Sequence, residues 1–279
     1  ELFVFFSLKP MKVRKPAFDL SAISRYNFGD NAVATHLLNS LHVLVPIGEL
    51  AFIRSVRPFL KDAKSDELKA RLKSFIGQES VHDQIHRQVW AKLREQGLPV
   101  DAFANFFSET FIRQSEPLVN KLLGPKALLS LTVAFEHYTA ALADTLFQPN
   151  AKLRSSMEGQ MGDLWAWHAA EELEHKSVAF DLLKEIDDNY WLRVTGMAAA
   201  SSILTFFAFS GAGWFLVNDR ELGFKRFVRD LTTFNNVVGE VWPALAGHIL
   251  DYLRPGFHPD EKDNYHLAEQ SLRELKMAG

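Results

Sequence analysis

Glu79-Ser80-Val81-His82 and Glu172-Leu173-Glu174-His175 are two copies of one pattern, a Glu followed three residues later by a His. Three residues is just under one helical turn, so in each copy both side chains leave the same face. One such pair arises by chance in many helices; two on separate long helical stretches carry more. Two further Glu residues stand in apolar surroundings. Glu49 lies in Val45-Pro46-Ile47-Gly48-Glu49-Leu50-Ala51-Phe52-Ile53, and Glu136 in Leu131-Thr132-Val133-Ala134-Phe135-Glu136-His137-Tyr138. A carboxylate in such a place must be neutralised, paired or bound to a cation. One Glu from each of two helices and a Glu-x-x-His from each of two others is the ligand set of ferritin-like di-iron and di-manganese bundles. The fold class expected is therefore all-α, a ferritin-like four-helix bundle with additional C-terminal helices.

The chemistry follows from the donor types. Carboxylates bridge two divalent ions and neutralise much of their charge, while each imidazole caps one ion. The candidate ligands are Glu49, Glu79, His82, Glu136, Glu172 and His175. Two more histidines extend the motifs. Glu79 and His86 are a heptad apart, as are His168 and His175, which brings each pair within about 20° around its helix. His168 and His86 are thus either further ligands or hydrogen-bond partners of ligating side chains. His137 points about 100° away from Glu136 and is left out. No residue is singled out as catalytic. The ions expected are two irons, with Mn and Zn as alternatives.

Outward from these motifs the periodicity is helical. Asp30 or Asn31 caps a helix to about Leu60, with a kink at Pro46. Ser65 opens a second helix ending near Gly97. A shorter one covers 101–122, bent or broken at Pro117, and serves as the crossover. Pro125 starts a helix to Phe147, and a long helix is expected over 152–187. Weaker signals place helices at 220–239 and 240–254, and Pro259 begins a last one to Lys276. Few segments alternate with period two, so a substantial sheet is not expected. Residues 25–190 form the metal-binding bundle and 191–279 pack on it, within one structural domain.

Composition narrows the function. The 279 residues are 47% hydrophobic and carry a net charge of −3, without the basic excess of a nucleic-acid binder. There is no Cys, which excludes disulfides, thiolate metal sites and a Cys nucleophile. The 23 Phe residues suggest a large apolar interior or an apolar ligand. Residues 1–8 are apolar, but their basic neighbours follow rather than precede them, unlike a secretory signal. Met11 is a candidate start, and 1–20 are set aside from fold reasoning.

Val194 to Val217 runs 24 residues without a charge, flanked by Arg193 and Asp219. It is long enough to span a bilayer. A fully buried central helix, apolar on every side, has the same composition. Arg220, Lys225, Arg226 and Arg229 would place its C-terminal side in the cytosol and the preceding bundle outside. With no export signal apparent, a span is disfavoured. The expectation is a helix packed on the bundle or lying at a membrane surface, in a cytoplasmic, membrane-associated protein.

Four stretches resemble a bacterial family labelled predicted metal-dependent hydrolases. They are Pro46-Ile47-Gly48-Glu49, Gln78-Glu79-Ser80-Val81-His82 with His86, Trp167-His168-Ala169-Ala170-Glu171-Glu172-Leu173-Glu174-His175-Lys176, and Arg254-Pro255-Gly256-Phe257-His258-Pro259. The resemblance covers about 25–260 and implies a metal-activated water acting on a substrate. The spacing of His168, Glu172 and His175 is also similar to that of di-iron arylamine N-oxygenases, which implies His168 as a seventh ligand. Ligand chemistry leads to a dinuclear, di-iron enzyme carrying out dioxygen-dependent oxidation of a small, hydrophobic substrate, with an electron donor as partner. The alternatives are a metal-dependent hydrolase and a non-catalytic metal-binding or membrane-associated bundle. No nucleic-acid partner is expected; peripheral membrane contact and a homodimer are both compatible with the sequence.

Overall fold

The fold comes from a computed structural model that describes residues 11–277. Expectations for residues 1–10 lie outside the described residues. Helix α1 is Ala32–Val56, capped by Asn31, whose side chain accepts from the Ala34 amide. Pro46 is carried inside it. Helix α2 is Asp66–Glu95; Ser65 caps it by accepting from Leu68, and Asp66 and Glu67 in its first turn favour the positive end of the helix dipole. After α3 (Val100–Phe107), α4 (Glu116–Leu123) and a turn at Gly124, α5 runs over Pro125–Leu146. Gly124 has φ +81, a conformation that glycine adopts without a steric penalty. The next helices are α6 (Lys152–Ser155), α7 (Gly159–His175) and α8 (Val178–Ile186). The chain continues through α9 (Tyr190–Asn218), α10 (Phe224–Val238), α11 (Val241–Tyr252) and α12 (Tyr265–Glu274).

The bundle is built from α1, α2, α5 and α7: α1 packs on α2, α5 on α7, and each pair touches the other. The fold is all-α. Among the described residues the strand-like pairing is one isolated bridge between Phe28 and Met157. Fully buried Trp167, Phe75, Leu72, Leu129 and Leu173 fill the bundle around the cluster, each worth roughly 1.5–3 kcal/mol relative to exposure.

Three details differ from the sequence reading. The crossover departs from α-helix before Pro117, in a π-helical stretch at Ser108–Ser115. Pro117 itself sits in the first turn of α4, where its missing N–H interrupts nothing. The expected helix over 152–187 is three helices. Met157 leaves the helix to pair with Phe28, Gly159 takes φ +48, and the chain turns again after His175. The expected last helix begins as a short 3₁₀ turn at Pro259–Glu261, and α12 starts only at Tyr265.

Helix α9 packs against α1 and α5. Its glycines make the approach close. A Cβ on Gly196 would collide with the Oγ and backbone of Ser130, and one on Gly211 would lie 2.6 Å from Ser40 Cβ. The reading of α9 as a helix buried on every side does not hold. Met197, Ala200, Phe207, Ala212 and Phe215 are buried, whereas Trp191, Phe206, Phe209, Trp214 and Val217 are exposed. Two stretches, Ala32–Phe59 and Tyr190–Asn218, are long and apolar enough to cross a membrane by length and composition. Their burial separates them, at 67% and 33% of the most apolar window.

Candidate metal centre

Helices α1, α2, α5 and α7 each turn acidic or imidazole side chains into the bundle. Glu49, Glu79, His82, Glu136, Glu172 and His175 are all buried, at 3% exposure or less. His82 Nδ1 lies 3.4 Å from Glu49 Oε1, 3.5 Å from Glu172 Oε1 and 3.8 Å from Glu79 Oε2. His175 Nδ1 lies 2.9 Å from Glu79 Oε1 and 3.7 Å from Glu136 Oε2. His168 Nε2 lies 3.3 Å from Glu172 Oε1. The donors fall into two close groups that share Glu172: Glu49, His82, His168 and Glu172, and Glu79, Glu172 and His175. Glu136 borders the second group through His175.

His86 is placed differently. Its Nε2 meets His168 Nδ1 at 3.2 Å and its Nδ1 meets His42 Nδ1 at 2.8 Å, so both ring nitrogens are engaged by other imidazoles. Burial lowers the pKa of all three, that of His42 to about 3, and keeps them neutral. His137 faces away and hydrogen-bonds the His248 carbonyl at 2.8 Å.

The other ring nitrogen of each motif histidine is held from the opposite helix. His82 on α2 donates from Nε2 to Glu171 of α7 at 3.0 Å, and His175 on α7 donates from Nε2 to Gln78 Oε1 of α2 at 2.9 Å. With the proton fixed on Nε2, each Nδ1 presents its lone pair to the carboxylates. Arg14 pairs with Glu171 and Glu174, and Gln78 donates to Glu174, which closes the network. Sequence reasoning missed Gln78, Glu171, Arg14 and His42 as site residues. A signal for the first two was present, since each immediately precedes a motif Glu. Arg14 lay in the stretch set aside, yet it anchors that stretch to α7.

The electrostatics call for positive charge. Burial, then the charges of its acidic neighbours, pushes the Glu136 carboxyl well above its ordinary range; burial and Glu79 do the same to Glu49. Burial also raises Glu172, against the pull of His175. It acts upward on Glu79 too, but His175 and His82 outweigh it and bring that carboxyl to about 2. Four carboxylates so close cannot all ionise in a dry interior without cations. The polar atoms fit such cations. Glu49 Oε2, both oxygens of Glu79 and Glu136, Glu172 Oε2, and Nδ1 of His82 and His175 are buried without a hydrogen-bond partner. Unsatisfied buried acceptors are costly, and convergent oxygen and imidazole atoms are the donors that divalent metals take.

Fold and cluster together define a helical bundle with a buried carboxylate–imidazole centre able to hold a dinuclear metal. The chain matches the family model of predicted metal-dependent hydrolases over residues 12–263 and belongs to that family. No curated protein and no solved structure matches it. The family match overturns the expectation of a dioxygen-dependent oxidation, and with it the need for an electron donor. The physical reason for the error is that oxygen and imidazole donors suit Fe, Mn and Zn alike. Their geometry fixes a metal site without choosing between redox and hydrolytic chemistry.

Proposed function

We infer that the protein is a metal-dependent hydrolase whose bundle centre holds two divalent cations. The observation that carries this reading is the set of unpartnered carboxylate and imidazole atoms, in a chain of a hydrolase family. Glu49, Glu79, His82, Glu136, Glu172 and His175 are the residues that would hold the ions, and Glu172 belongs to both close donor groups. His168 is the proposed seventh ligand, through Nε2. Ions held in this way act as Lewis acids and lower the pKa of water.

The remaining work belongs to the chain. Glu171 and Gln78 fix the His82 and His175 rings and keep their protons on Nε2. A ligating His168 carries its proton on Nδ1 and donates it to His86 Nε2. His86 then donates from Nδ1 to His42, so one chain of imidazoles sets three tautomers. Buried Trp167 and Phe75 pack edge-on against His82 and His175 and exclude bulk water. The test is metal content together with turnover of ester and amide substrates under nitrogen. The expected result is close to two divalent ions per chain and an activity that Zn or Mn restores after chelation. A chain that binds no metal, or turnover unaffected by chelation, would end this reading.

A further inference from the structure

A cavity of about 450 Å³ runs from the metal centre to the surface between α9 and α11. Three buried polar residues mark its inner end: Glu49, His168 and Glu172. They are also members of the close donor group that includes His82. At the outer end, Thr205 and Phe209 of α9 face Trp242 and Ala246 of α11. All four line the cavity and are exposed, and each pair is spaced by four residues, so two helical edges frame one mouth. Phe209 and Trp242 stack with ring centroids 6.3 Å apart and an interplanar angle of 24°. Between the ends the wall is overwhelmingly aliphatic and aromatic, with Phe107, Phe135, Phe207 and Leu245 among its members.

Well-packed interiors hold few voids larger than a water molecule. A cavity of this size, apolar along its length and polar at one end, has the form of a small-molecule site. We propose that it is the substrate pocket and takes an amphiphile with a single apolar chain, its uncharged ester or amide group lying at Glu49, His168 and Glu172. The proposal rests on the hydrolase reading for the reaction but on the cavity alone for the ligand class. The group must be uncharged because it travels a wall that offers no counter-charge before the centre, and desolvating an ion there is costly. For an ester, hydrolysis breaks the acyl C–O bond. The oxygen of one water bonds the acyl carbon, and one of its protons goes to the leaving alcohol, giving a long-chain acid. The chain, more than the group, supplies affinity, since each buried methylene adds its own increment.

The test measures ligand binding and metal content side by side on the full chain. cis-Parinaryl alcohol, uncharged as the apolar wall requires, serves as the fluorescent probe, displaced by ethanol, octanol, decanol and dodecanol. Expected is saturable probe binding, no displacement by ethanol, and an alcohol affinity rising about threefold to fourfold per methylene. Thr205→Trp and Ala246→Trp put bulk at the mouth on exposed positions, so the core is left packed as it was. Each should weaken probe and dodecanol binding at least tenfold, with unchanged metal content and helical circular dichroism. Equal displacement by short and long alcohols, or wild-type binding in both variants, overturns the proposal. Two metals per chain without chain-length dependence removes the ligand class and leaves the hydrolase reading standing. Chain-length-dependent binding in a protein that takes no metal does the reverse.

Discussion

Between α1, α2, α5 and α7 the protein buries the carboxylates of Glu49, Glu79, Glu136 and Glu172 and the imidazoles of His82, His168 and His175; along α9, α10 and α11 it exposes Phe206, Phe209, Trp214, Phe224, Leu231 and Trp242. The first region places charge where water is absent, and the second places apolar rings where water is present. Each arrangement costs stability by itself. In the bundle the hydrogen bonds of Glu171 and Gln78 meet part of the cost, and the centre is able to hold the cations that would meet the rest. On the flank Phe209 and Trp242 stack on each other, while Phe206, Phe224 and Leu231 remain exposed. The lesson is that polar atoms unpartnered inside and apolar rings unpartnered outside are the two places where folding alone does not explain the sequence.

The largest effect that would break the comparison is loss of the metals. Glu79→Ala and Glu172→Ala each remove a donor from the cluster, and metal content measured by elemental analysis should fall severely in both. Full occupancy in both variants would remove the bundle centre as the site. Next comes the join between the regions. Gly196→Ala and Gly211→Ala force α9 off Ser130 and off Phe103 and Ser40. Each should cost about 1–3 kcal/mol, read as a drop in Tm of ~2–4 °C per kcal/mol. Unchanged Tm in both would mean that the contact is looser than described.

A smaller effect sharpens the polar side. Gln78→Leu leaves the His175 Nε2 proton without its acceptor, and should weaken metal binding ~10–100-fold while two ions still bind at saturation. Wild-type affinity in a competition titration would show that the ring needs no such anchor. On the apolar side, contact of the flank with lipid predicts that the protein floats with anionic vesicles in a density gradient, and that Phe224→Asp reduces the floated fraction. Complete retention in the soluble fraction would take that role away.

The smallest effect is pH-dependent and lies where the regions meet. Asp219, just after α9, accepts from His36 of α1 at 2.9 Å, from Tyr26 at 2.9 Å and from Arg25. Burial pushes its carboxyl up, but the hydrogen bonds from His36, Arg25 and Tyr26 outweigh it and hold it well below its ordinary value of 3.8. A carboxyl lowered by folding stabilises the protein above its unfolded pKa, and that stability is lost as pH falls below that value toward the folded one. Asp219→Asn should therefore lower Tm most near neutrality. The gap from wild type should close as pH falls below about 4. A gap independent of pH would mean that the charge contributes nothing.

The sequence alone determined the all-α class, a cap at Asp30 or Asn31 that the structure resolves as Asn31, the cap at Ser65, the start of α5 at Pro125 and the four helices that carry Glu49, Glu79, Glu136 and Glu172. These are local matters: a capping side chain reaches three residues, and a Glu-x-x-His pair lies within one turn. The sequence also marked 194–217 as apolar, because composition is local too. Only the tertiary structure decided that Glu171 serves His82 and Gln78 serves His175, since those partners are 89 and 97 residues apart. It decided that Arg14 reaches α7, and that the stretch over 152–187 breaks where Met157 meets Phe28. It likewise decided which face of α9 is covered. A helix apolar all round carries no preferred side, so the glycines at 196 and 211 and the neighbours they admit select one.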